Sequence, residues 1–115
     1  MKELVKIYKA LSDPNRLRIL KMLQIRSLCV CEITSILNLA TSTVSKHLAI
    51  LREANLITDS KDGKWVNFQL NNSKESPYPV SILKQLTGWL QENKIIQQDA
   101  LKVRAADRFK LRNIN

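Results

Sequence analysis

The sequence predicts a mostly α chain carrying a single β-hairpin, and three features support that expectation. Apolar residues recur at helical spacing through the first half. Two of the helical stretches meet at the short connection Asn38-Leu39-Ala40, and beyond Asn55 the apolar period drops from helical to two. At 115 residues the chain suits one domain with a modest core, or a small domain steadied by pairing with its own copy.

The first helix is expected over about Lys2 to Leu11, with Leu4, Ile7, Tyr8 and Leu11 on one side. Asp13 is a good N-cap for the second and Pro14 fits its first position, where a missing N–H costs nothing; Leu17, Leu20 and Leu23 form its inward stripe. A third helix is expected from Leu28 or Cys29, with Val30, Ile33 and Leu37 inward. The fourth, in "TSTVSKHLAILREAN", takes Thr41 or Ser42 as its cap and packs Val44, Leu48 and Leu51. In "WVNFQL" Val66, Phe68 and Leu70 alternate with Trp65, Asn67 and Gln69, and the Asp62-Gly63 turn signal before them marks a hairpin. A long helix is then expected from Pro79, repeating Ile82, Leu83, Leu86, Leu90 and Trp89. The predicted organisation is one domain over residues 1–97 and a basic extension over 98–115, helical in part.

Helices joined by a tight turn and followed by a hairpin with a basic tip make a winged helix-turn-helix. Nineteen Lys and Arg against ten Asp and Glu leave a formal charge of +9, which points to a polyanionic partner, double-stranded DNA first and an anionic membrane surface second. With its apolar face in the core, the fourth helix is left to point Ser42, Thr43, Ser45, Lys46, His47 and Arg52 outward toward a major groove, where the hydroxyls suit phosphate and base edges alike, while Lys46, Arg52, Lys61 and Lys64 suit phosphates. No apolar run approaches the roughly 20 residues that cross a bilayer, so a soluble, cytoplasmic protein with no membrane partner is expected. The sequence has no glycine-rich phosphate loop and no Ser-His-acid set with plausible geometry, which argues against an enzyme.

Cys29 and Cys31, in "SLCVCEI", are the only cysteines. In a reducing compartment they are open to three readings: a soft-ion site, a redox switch, or passive buried thiols. Residues two apart on a regular helix lie about 200° apart around its axis, so both thiols could hold one ion only by distorting the helix.

"ALSDPNRLRILKML", "LCVCEI", "STVSKHLAILREANLI" and "DGKWVNFQL" occur in the order and spacing of the arsenical-resistance repressor (ArsR/SmtB) family of metal-sensing winged-helix proteins, which the chain resembles over about Leu4 to Leu70. The resemblance implies a homodimer that represses an arsenic-resistance operon. It also implies that operator DNA is released when As(III) or Sb(III) binds Cys29 and Cys31, with "STVSKHL" as the recognition segment. Where some members carry a third cysteine, this chain has Thr34, which leaves the third bond of arsenic to water, hydroxide, a small thiol or the organic group of a trivalent organoarsenical. Two alternatives stay open: a redox-responsive repressor using a Cys29–Cys31 disulfide, and a constitutive DNA-binding module.

Overall fold

The structure, a computed structural model, describes residues 1–106. Helices α1 (Lys2–Leu11) and α2 (Pro14–Leu23) lead into a short strand β1 (Leu28–Cys29), then α3 (Val30–Leu37) and α4 (Thr41–Glu53). Strands β2 (Ile57–Asp62) and β3 (Trp65–Leu70) form the hairpin, and α5 (Pro77–Thr87) and α6 (Lys94–Ala105) follow.

Local chemistry sets the boundaries that position the site. Asp13 caps α2 as the sequence predicts: its Oδ1 accepts the N–H groups of Asn15 and Arg16 at 2.8 and 3.1 Å. Helix α3 ends where Asn38 takes a left-handed conformation, φ 55°, which an asparagine tolerates better than most side chains and which turns the chain within three residues into α4. The N-cap of α4 is Ala40, one residue before the expected threonine, and Thr41 is exposed on its first turn. At the wing tip Asp62 pairs with Trp65, which leaves Gly63 and Lys64 as a two-residue connection; Gly63, at φ 61°, supplies the left-handed conformation that a tight hairpin needs.

The sheet has the order β1-β3-β2, antiparallel throughout. Its inner face adds Leu28, Ile57 and Phe68 to a core built from Ile7, Ile19, Leu20, Met22, Ile33, Val44, Leu48 and Leu51. Burial of this apolar surface is the main force holding the elements together. A second set of contacts fastens the C-terminal helices. Arg18 grips the buried Asp99 of α6 with two bonds of 2.8 and 2.9 Å. That contact raises the Arg18 guanidinium above its ordinary value. Lys21 Nζ donates to the carbonyls of Leu86 and Trp89 at 3.0 and 2.9 Å, closing the end of α5.

Several expectations change. The third helix starts only at Val30, because Leu28 and Cys29 are drawn into the sheet beside Phe68 and Asn67. Tyr8 faces outward, 57% exposed; the buried side of α1 is formed by Ile7 and Ala10. The long late helix is two: α5 stops at Thr87, Leu90 takes φ 64°, and Asn93 caps α6 by accepting the N–H groups of Ile95 and Ile96. The division expected between residues 97 and 98 therefore falls inside α6, whose Asp99 and Val103 are buried against the rest. Residues 107–115 of the expected extension lie outside the described residues.

Candidate nucleic-acid interface and cysteine pair

Because α4 turns Val44, Leu48 and Leu51 inward, its opposite face is left to polar side chains. Ser42, Thr43, Ser45 and Lys46 are exposed there, and Lys61 and Lys64 are exposed at the wing tip. Among the described residues Lys46, Lys61 and Lys64 enter no ion pair. Two of the predicted DNA-facing side chains are engaged within the fold. Arg52 Nη1 lies 2.8 Å from Asp59 Oδ2 on β2, a link between α4 and the wing, and it is exposed enough to exchange carboxylate for phosphate. His47 is half-buried, its Nδ1 3.3 Å from Arg16 Nη1. Arg16 is itself held by the carbonyls of Ala10 and Lys9, so it braces α4 against the junction of α1 and α2.

The cysteines sit one helix upstream. Cys29 and Cys31 form a disulfide with a Cα–Cα separation of 5.4 Å. The expected conflict between helix geometry and a shared partner does not arise, since Cys29 is the N-cap of α3 in an extended conformation, φ −83° and ψ 166°, and only Cys31 is helical. One sulfur comes from the sheet and the other from the first turn, so they converge without bending the helix. Cys29 is 2% exposed, whereas Cys31 is half-buried.

Three residues around this pair were not singled out from sequence. Glu32, fully buried, accepts the backbone N–H of Cys29 at 3.0 Å with one carboxylate oxygen and pairs with Arg26 at 3.0 Å through the other. Arg26 also donates to the carbonyls of Val103 and Ala106 at the end of α6. Asn67 is the ladder partner of Cys29. The position of Glu32, three residues past an N-cap, was the readable signal for the first of these; Arg26 and Asn67 carry none that is local. Among the described residues no three His, Cys, Asp or Glu side chains cluster around a common point, and no helix is long and apolar enough to cross a membrane.

A helix, a three-residue turn, a second helix with an exposed polar face and a hairpin wing define a winged helix-turn-helix regulatory protein. The chain belongs to the arsR family of bacterial regulatory proteins, whose pattern matches residues 13–59. It is 37% identical over 93 residues to the arsenic resistance transcriptional regulator ArsR2 of Pseudomonas putida, covering 76% of this chain and 79% of that one. It is 40% identical over 68 residues to the arsenical resistance operon repressor of Escherichia coli, a match spanning 58% of each chain. Among solved structures, HlyU of Vibrio cholerae superposes with a TM-score of 0.63 at 33% identity, covering 74% of this chain and 88% of that one. The reduced form of HlyU gives 0.62.

Proposed function

We propose that this protein is a cytoplasmic, homodimeric transcriptional repressor that releases operator DNA when trivalent arsenic, or antimony, binds Cys29 and Cys31. The carrying observation is the convergence of the two sulfurs at the junction of β1 and α3, one short helix before the turn that aims α4. The names of the Escherichia coli and Pseudomonas putida relatives support arsenic as the signal. Thiolates favour such a thiophilic ion over hard cations. Ser42, Thr43, Ser45 and His47 would face the groove, with Lys46, Arg52, Lys61 and Lys64 on phosphates. An apolar groove between Leu11, Leu17, Ile82, Leu86, Trp89 and Leu90 supports pairing with a second copy.

The mechanism follows from what each sulfur is attached to. Cys29 is held by the ladder to β3 and by Glu32, so a thiophilic ion held by Cys29 and Cys31 would act on the less restrained side, Cys31 and the first turn of α3. Helix α3 is only eight residues long and ends at the Asn38 turn, so a shift at its start is passed to α4. In a dimer this changes the spacing of two recognition helices, and a ligand shifts the equilibrium by its differential affinity for the two arrangements.

The disulfide favours a second reading, in which oxidation of the same thiols is the signal. The existence of a structure of HlyU described as reduced gives this reading a structural relative. One experiment separates the two. A duplex selected from random-sequence DNA is titrated by fluorescence anisotropy with reduced protein, alone, with arsenite and with oxidant, and each sample is weighed by mass spectrometry. Release with a retained arsenic adduct supports the metalloid repressor; release only with loss of two hydrogens supports the redox repressor; no release by either overturns both.

A further inference from the structure

We infer that Asn67 receives the third substituent of the arsenic held by Cys29 and Cys31 through a hydrogen bond to an arsenic-bound hydroxyl, so that the site prefers inorganic arsenite to arsenicals with an apolar third group. The inference rests on the arsenic reading of the cysteine pair given above.

The geometry comes from the register. Cys29 and Asn67 are directly opposed on the antiparallel strands β1 and β3. Opposed residues place their side chains on one face with Cβ atoms about 4.5–5.5 Å apart. The adjoining pair, Leu28 and Phe68, faces the core, so by alternation Cys29 and Asn67 share the other face. Asn67 is only 9% exposed, and its Oδ1 meets no hydrogen-bond partner among the described residues. Buried carboxamide oxygens are nearly always paired, so an unpaired one beside a chelating thiol points to a polar group arriving with the ligand. A second atom agrees: Thr34 Oγ1 is also buried without a partner among the described residues, and Thr34 lies one turn after Cys31 on the same side of α3.

The chemistry leaves a polar group for such a receiver. From the disulfide state, two small-molecule thiols first supply two electrons and two protons, leaving Cys29 and Cys31 as thiols and themselves as a disulfide. Each protein S–H then condenses with one hydroxyl of arsenous acid, forming two As–S bonds and releasing two waters, while arsenic stays trivalent. One As–OH remains. Its hydroxyl both donates and accepts, so either end of the Asn67 carboxamide can bind it. A methyl group in that position can do neither, and leaves the carboxamide unpaired.

The test uses the reduced full-length chain, with arsenite and methylarsonous acid titrated by thiolate-to-arsenic absorbance in the near ultraviolet. Asn67→Leu, similar in shape and apolar, should weaken arsenite about fivefold to tenfold, the worth of one hydrogen bond, and leave the methyl compound within about twofold. Asn67→Ser, whose hydroxyl stops one bond short, should move the ratio of the two affinities in the same direction, so the comparison survives if the leucine variant fails to fold. An unchanged ratio in a folded variant, with the parent binding both compounds, overturns this inference alone. A parent that binds neither overturns the arsenic reading along with it.

Discussion

Glu32 ties Cys29 to Arg26: one carboxylate oxygen accepts the Cys29 N–H at 3.0 Å, and the other lies 3.0 Å from Arg26 Nη2. Since Arg26 continues to the carbonyls of Val103 and Ala106, the start of α3 and the end of α6 share one polar chain. Glu32→Ala should destabilise the reduced protein by about 2 kcal/mol, through removal of the cap and of a charge-assisted bond. Glu32→Gln keeps the capping oxygen and should cost roughly half as much. Urea denaturation checks both, and equal costs would show that the cap contributes nothing.

Truncation measures how far the domain extends. A chain ending at residue 97 loses Asp99 and Val103, both buried, and strands Arg18 without its carboxylate. A chain ending at residue 106 keeps them. Relative to the chain ending at residue 106, the shorter chain should lose at least about 3 kcal/mol, the scale for breaking a buried pair. Matching midpoints for these two would place α6 outside the cooperative unit.

These two regions also show what the sequence could and could not reveal. The tight turn, α4 and the wing were legible because each is written in local chemistry: Asn38 at the turn, Val44-Leu48-Leu51 at helical spacing, Gly63 at the hairpin tip. Strand β1 was not, since a two-residue strand has no period and exists only because β3 lies beside it. The break between α5 and α6 was hidden by apolar Trp89 and Leu90, which continue a helical pattern although Leu90 has a left-handed backbone and Asn93 opens a new helix. At the site, the cysteines were identifiable as a pair, but their convergence depends on Cys29 being extended, and the place of Asn67 depends on register.

Burial beneath the end of α5 pushes the Lys21 ammonium below its ordinary value of 10.5. In the unfolded chain the group returns to that value, so between the two the unfolded state holds more protons and stability rises with pH. That gain is complete above the ordinary value and absent below the folded one. Lys21→Met should remove this alkaline rise, seen as a parent urea midpoint that climbs relative to the variant's as pH increases from neutral. Parallel curves would show that Lys21 does not titrate differently on folding.

The wing lysines should govern salt dependence. If Lys61 and Lys64 neutralise phosphates, replacing both by Gln lowers the slope of log affinity against log salt by about 0.9 for every phosphate that is no longer neutralised. Arg52→Gln should do less per residue, because Arg52 is already paired with Asp59 and must give up that partner to bind DNA. Anisotropy titrations across a salt series measure this, and an unchanged slope for the double variant would place the wing away from the backbone.

Each cysteine supplies one soft bond, and a repressor is released only as far as its ligand prefers one arrangement over the other. Neither sulfur lies on the exposed face of α4, so Cys29→Ser and Cys31→Ser should keep DNA affinity and lose release by arsenite. Since Cys29 is buried and Cys31 only half-buried, placing a hydroxyl at Cys29 should also cost more stability, less whatever serine regains as an N-cap. Thr34→Cys adds a thiol one turn after Cys31, which should lower the arsenite concentration needed for release and affect methylarsonous acid much less, because carbon already occupies its third bond. The four proteins are compared under reducing conditions by operator-bound fraction against each arsenical. Serine variants that release DNA at the parent's ligand concentration would remove the cysteine pair as sensor. Serine variants that cannot bind DNA without ligand would instead make the pair a structural staple.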